Sequence, residues 1–133
     1  MFRLTPHRDA LEDLRAIKRA DPTAFFRITA LFEQIKADPK LLDALTDHDF
    51  GAQGTQLFNV KKWVEHWRRG TNLWRMRVWD LDSAGMPYRI IYGYEVGRSR
   101  HHILGVIHHR GFNYEPDHSF TKRVLAAYDE VCR

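Results

Sequence analysis

Residues 72–116 read NLWRMRVWDLDSAGMPYRIIYGYEVGRSRHHILGVIHHRGFNYEP, and the spacing inside that stretch governs the rest of the chain. Over residues 73–81, Leu73, Arg75, Arg77 and Trp79 alternate with Trp74, Met76 and Val78. Period-two spacing with β-branched and aromatic side chains predicts a strand. Over residues 88–96, Tyr88, Ile90, Tyr92, Tyr94 and Val96 share one face, and Arg89, Ile91, Gly93 and Glu95 share the other. A third strand is predicted over residues 101–110, with Ile103 and Ile107 on one face and Leu104 and Val106 on the other. Residues 82–87 and 97–100 are short and turn-rich, so the three strands are expected to form an antiparallel meander.

Outward from that sheet, 133 residues suffice for one domain with one core, and residues 1–133 are read as a single unit. Hydrophobic residues make up 44% of the chain, as a folded globule requires. One cysteine, Cys132, excludes a disulfide framework and points to a reducing compartment. No apolar run approaches the ~18 residues of a membrane span, and the N-terminal residues lack a signal peptide's apolar region. The expected location is the cytoplasm, with no membrane partner.

Positive charge is concentrated rather than spread. Between Lys61 and Arg110 there are ten Lys or Arg against four Asp or Glu, while residues 1–60 carry eight against nine. Such a field suits a phosphate-bearing partner, because neutralised phosphates release counterions. It also suits a solvated sheet edge that discourages aggregation.

Helices flank the strands. Phe2, Arg3 and Leu4 form a short apolar start that reads as an edge strand. Thr5-Pro6, Asp21-Pro22 and Asp38-Pro39 each read as an N-cap followed by proline at the first helical position. The second of these opens a helix with Phe25, Ile28, Leu31, Phe32 and Ile35 on one stripe. The first two helices are expected to form an antiparallel hairpin over one face of the sheet. Residues 46–56 read as a loop. From Asn59 as N-cap, Val60, Trp63, Val64 and Trp67 follow helical spacing, with Lys61, Lys62, Arg68 and Arg69 on the other side. Residues 113–117 turn the chain into a last helix over residues 119–131, with Val124, Leu125 and Tyr128 inward.

The strands also carry chemistry. Arg75 and Arg77 share a face about 7 Å apart, and Arg89 on the neighbouring strand, expected to face solvent, can join them. Three guanidiniums together either bind an anion, for which their forks suit phosphate, or pair with Asp80, Asp82 or Glu95. Five of the eight histidines lie between His101 and His118. They make a poor metal set, since His101 and His109 stand roughly 26 Å apart along an extended strand and no Cys or carboxylate cluster completes a tetrahedron. A histidine beside arginines is better suited to proton transfer.

The order of helical hairpin, meander and C-terminal helix resembles the RelE/ParE superfamily of type II toxin–antitoxin toxins over nearly the whole chain. The more specific likeness lies in Leu73-Trp-Arg-Met-Arg-Val78, in Tyr88-Arg-Ile-Ile-Tyr92, and in Leu104-Gly-Val-Ile-His-His-Arg110 with Tyr114. The resemblance implies an α+β fold with a small antiparallel sheet. For the RelE-like and HigB-like branches it implies a ribosome-dependent mRNA endonuclease, an mRNA interferase that needs no metal or cofactor and inhibits translation. Catalytic roles then fall on Arg75, Arg77, Arg89, His109, Arg110 and Tyr114, and RNA contacts on Lys61, Lys62, Arg68, Arg69, His108 and Phe112. Relatives often carry lysines where Arg75 and Arg77 stand. Arginine is a poor base, so His109 or His108 is expected to take the proton, while Tyr114 orients the substrate or stacks on a base. The implied partners are the ribosome with its mRNA and an antitoxin from the same operon. Two alternatives stay open: a ParE-like inhibitor of DNA gyrase, and a non-catalytic RNA-binding module of the same fold.

Overall fold

The computed structural model describes residues 2–112 and 114–133. Among them the fold is α+β, with a five-stranded sheet in the order β1-β5-β4-β3-β2. The strands are β1 (Arg3–Pro6), β2 (Phe58–Lys62), β3 (Leu73–Val78), β4 (Tyr88–Glu95) and β5 (Arg100–His108). The pairs β2–β3, β3–β4 and β4–β5 are antiparallel, and β1 lies parallel to β5. The expected antiparallel meander therefore forms the centre of a larger, mixed sheet. The parallel edge arises because the chain leaves β1 through three helices before the meander begins, and a crossover of that length permits parallel pairing.

Those helices are α1 (Arg8–Ala20), α2 (Pro22–Ala37) and α3 (Pro39–Ala44). The backbone N–H of Ala24 donates to Asp21 and that of Lys40 to Asp38, so both Asp-Pro pairs act as read. Thr5-Pro6 does not. Pro6 ends β1, and His7 caps α1 by accepting the Asp9 N–H at Nδ1. Leu14 and Ile17 of α1 and Ile28, Leu31, Phe32 and Ile35 of α2 pack on Val60, Trp74, Met76, Ile90, Tyr92, Ile103 and Val106 of the sheet. This is the larger of two cores.

The opposite face carries α6 (Ser119–Val131), whose Phe120, Val124, Ala127 and Tyr128 pack on Leu73, Ile91 and Leu104. Phe120 comes so close that a Cβ on Gly105 would stand 2.6 Å from its ring. Asp13 ties α6 to the hairpin around the sheet edge. Beyond Pro6 the β5 edge has lost its partner strand, and the Val106 N–H donates instead to Asp13, which also accepts from Arg123 of α6.

Three further expectations change. The helix read from Asn59 is instead β2 followed by one turn, α4 (Val64–Trp67). Phe58 and Val60 pack inward against the larger core, a period-two pattern that the Trp63, Val64 and Trp67 spacing had overridden. On the outer edge of β2, the Asp49 N–H donates to Val60 O and the Val60 N–H to Phe50 O. Gly51 makes that approach possible, because its φ is +70° and a Cβ there would fall 1.9 Å from Phe58 O. The strand read over residues 73–81 ends at Val78, and residues that follow coil into α5 (Trp79–Ser83). In β5 the inward set is Ile103 with Val106, and the opposite set Leu104 with Ile107, because the register slips by one where Ile91 faces Gly105 and Tyr92 faces Ile103. Leu104 is the extra residue of a β-bulge, and one extra residue inverts the parity of a strand.

Candidate active site

α6 covers only part of its face. Beyond its first turn the register sets polar side chains in two rows, Asn59 opposite Arg77 opposite Arg89, and Lys61 opposite Arg75, whose other neighbour is the buried Ile91. These five polar residues, with Met76, His109 and Tyr114, line a cleft of about 270 Å³.

Like charges directly opposed across strands repel, and the four cations here are held by three devices. Asp82, on α5, accepts from Arg77 Nε with one carboxylate oxygen and from Arg89 Nη1 at 3.0 Å with the other. Lys61 Nζ lies 3.7 Å from Asp49. Arg75 sits over the Tyr114 ring, 4.7 Å from its centroid, a cation–π contact. The open alternative of pairing with a nearby carboxylate is thus realised for two arginines, and by Asp82. Arg89 was expected to face solvent. Its side chain is only 10% exposed, because α5 folds Asp82 back over it.

His109 reaches the cleft from a 3-10 turn over His109–Gly111 that caps β5, and its own N–H donates to Pro87 O at 2.8 Å. Its imidazole is held below the usual histidine value by burial first and then by the Arg89 guanidinium, with Arg77 and His108 adding to this and Asp82 opposing it. At neutral pH it therefore offers a free lone pair. Tyr114 is held at a φ of +66°, a conformation costly for a non-glycine residue. Trp63 meets its ring edge-on at 5.3 Å, Phe112 flanks it at 4.7 Å, and its hydroxyl is buried with no partner among the described residues.

The remaining expected site residues lie elsewhere. Phe112 is 2% exposed inside the smaller core, so it offers no free face for a base and instead supports Tyr114. His108 accepts the Arg110 N–H at Nδ1 and meets Tyr88 edge-on, a structural role. Arg110 is exposed on the same turn, outside the cleft lining. Because β2 is a strand, Lys61 and Lys62 point to opposite faces, and Lys62 lies over Trp67. Arg68 and Arg69 are exposed beyond α4. Asn113, placed in the turn after Phe112, lies outside the described residues. Asn59 was missed, being read as a helix cap, whereas Asp82 stood among the three carboxylates offered as partners of the arginines and is the one that pairs. The alternation of Phe58, Asn59, Val60 and Lys61 was the available signal for Asn59.

Among the described residues, no group of three or more His, Cys, Asp or Glu is placed to hold a metal, and no helix is long and apolar enough to cross a membrane. Comparison with family models, with curated proteins and with solved structures gives no match.

Proposed function

We propose that this chain is a toxin of the RelE/ParE superfamily in a type II toxin–antitoxin system, acting as a metal-independent, ribosome-dependent mRNA endonuclease. One observation carries the reading: Lys61, Arg75, Arg77 and Arg89 converge on a single cleft with an imidazole depressed toward its neutral form. The hairpin on one face, the central meander and the C-terminal helix on the other support the same family.

The reaction assigned to the cleft is transfer of a phosphodiester from O5′ to O2′. His109 takes the proton of the ribose 2′-hydroxyl, the 2′-oxygen bonds to the adjacent phosphorus, and the P–O5′ bond breaks. The products are a 2′,3′-cyclic phosphate and a 5′-hydroxyl, whose proton comes from the Lys61 ammonium. Arg75, Arg77 and Arg89 face the extra negative charge of the five-coordinate phosphorus, where guanidinium donors bind more strongly than in the ground state. Tyr114 holds Arg75 in place by its ring. Arg110, exposed on the turn that carries His109, is a phosphate contact of the longer RNA. The partners are the ribosome with its message in the cytoplasm, and an antitoxin whose acidic segment covers the cations, since complementary charge steers such association.

Primer extension on a translated message tests this. The wild type is expected to give codon-spaced cuts, and His109→Ala and Arg75→Ala each to slow them by ~10²-fold or more, with unchanged melting. A wild type that makes no cuts but blocks gyrase supercoiling would replace this reading with the ParE-like one.

A further inference from the structure

We propose that Asp82 is a positioning residue of the cationic cleft, whose carboxylate grips Arg77 and Arg89 from behind and aims their remaining donors at one phosphate. The inference rests on the nuclease reading above and adds to it a group that never touches RNA.

β3 stops at Val78, and the α5 turn carries the chain back so that Asp82 meets Arg77, five residues earlier, and Arg89, seven residues later. Its side chain is 12% exposed and takes no part in the cleft lining. The division of donors is specific. Arg77 uses only Nε on Asp82 and lies over the Trp79 ring, while Arg89 uses Nη1 on Asp82 and on Tyr88 O. Both terminal nitrogens of Arg77, and Nε and Nη2 of Arg89, have no protein acceptor among the described residues. Two opposed guanidiniums would otherwise splay apart. The carboxylate holds them as a fixed pair that lines one cleft, a preorganised arrangement that need not be assembled during the reaction. The same carboxylate removes one positive charge from the site, so it weakens ground-state attraction for RNA while improving orientation.

That opposition gives the test. In Asp82→Asn, a short RNA with a 2′-deoxy nucleotide at the scissile position should bind as tightly as to the wild type or more so, with a log–log salt dependence steeper by up to ~0.7. Cleavage at saturating ribosomes should fall about tenfold or more. The acid limb of the rate profile should move to lower pH, because Asp82 is the group that raises the His109 imidazole against Arg89, Arg77 and His108. The Nε–H of Arg77, which its bond to Asp82 should make slow to exchange and visible by NMR in the wild type, should lose that protection. Asp82→Glu, which keeps the charge, should recover part of the rate and of that signal, and it serves as the test variant if Asp82→Asn does not fold. Equal losses of binding and cleavage, an unmoved acid limb, or an unchanged Arg77 signal would overturn the proposal. If the wild type does not cleave, the nuclease reading fails by itself, while the oligonucleotide binding and the Arg77 signal still decide the role of Asp82.

Discussion

One strand, β3, shows how differently the two faces of the sheet are used. Toward the hairpin it presents Trp74, Met76 and Val78, all buried. Toward α6 it presents Leu73, Arg75 and Arg77, of which only Leu73 is covered. Two helices of 13 and 16 residues span the first face, and a single 13-residue helix, about 20 Å long, serves the second. The uncovered remainder is where the register stacks the cations. A short helix thus separates stability from chemistry within one sheet: one face is packed for its own sake, and the other is packed at one end so that its open end can hold charge.

The separation can be attacked at its strongest point first. Ile28 is fully buried between the hairpin and the sheet. Ile28→Ala should cost ~2–5 kcal/mol of stability, read as a lower denaturation midpoint, yet leave cleavage unchanged at temperatures where the protein is folded. A slower rate in the folded state would mean that the faces are coupled.

Acid probes the same face at its edge. His101 is buried among Phe2, Tyr92 and Tyr94, and neither ring nitrogen has a partner among the described residues. Burial, and then the charge of neighbouring His102, push it down to about 4. The unfolded chain takes up this proton near its ordinary value of about 6.5 and the folded chain only near 4, so the unfolded state holds more protons between the two. Stability should therefore be whole above about pH 6.5 and fall toward pH 4, by an amount on the order of a few kcal/mol. His101→Phe should flatten that slope in denaturation series at several pH values. An unchanged slope would place the acid sensitivity elsewhere.

The smallest effect sharpens the other side of the comparison. Tyr114→Phe removes a buried hydroxyl with no partner, so melting should stay level or rise by less than about 1 kcal/mol. Cleavage should stay within about twofold, because the ring that carries Arg75 is retained. A several-fold loss of cleavage would give the hydroxyl itself a part in the reaction.

Much of this was legible in the residues. The Asp21-Pro22 and Asp38-Pro39 caps and the final helix act as read because they depend on local geometry. Arg75, Arg77 and Arg89 share a face because strand alternation is equally local, and His109 and Tyr114 join them because β5 delivers them to the same end. What escaped was non-local. β2 is a strand only because β3 is there to pair with it, and Trp63 and Trp67, which follow it, imitate a helical stripe. The bulge at Leu104 exists only in the pairing with β4. The burial of Arg89 depends on α5 folding back, and that of Phe112 on Phe120 and Trp63, none of which the spacing near either residue encodes.

The parallel edge also bears on how the molecule is made. Arg3 pairs with Arg100, so a strand near one end of the chain waits for one near the other while everything between them is synthesised. Closing so long a loop is entropically costly and tends to be slow. Until β5 is present, β1 has no neighbour, and the apolar stripes of α1 and α2 have only part of the sheet to cover. A chain halted before β5 would leave exposed the apolar surface that the complete sheet covers, and surface of that kind favours aggregation.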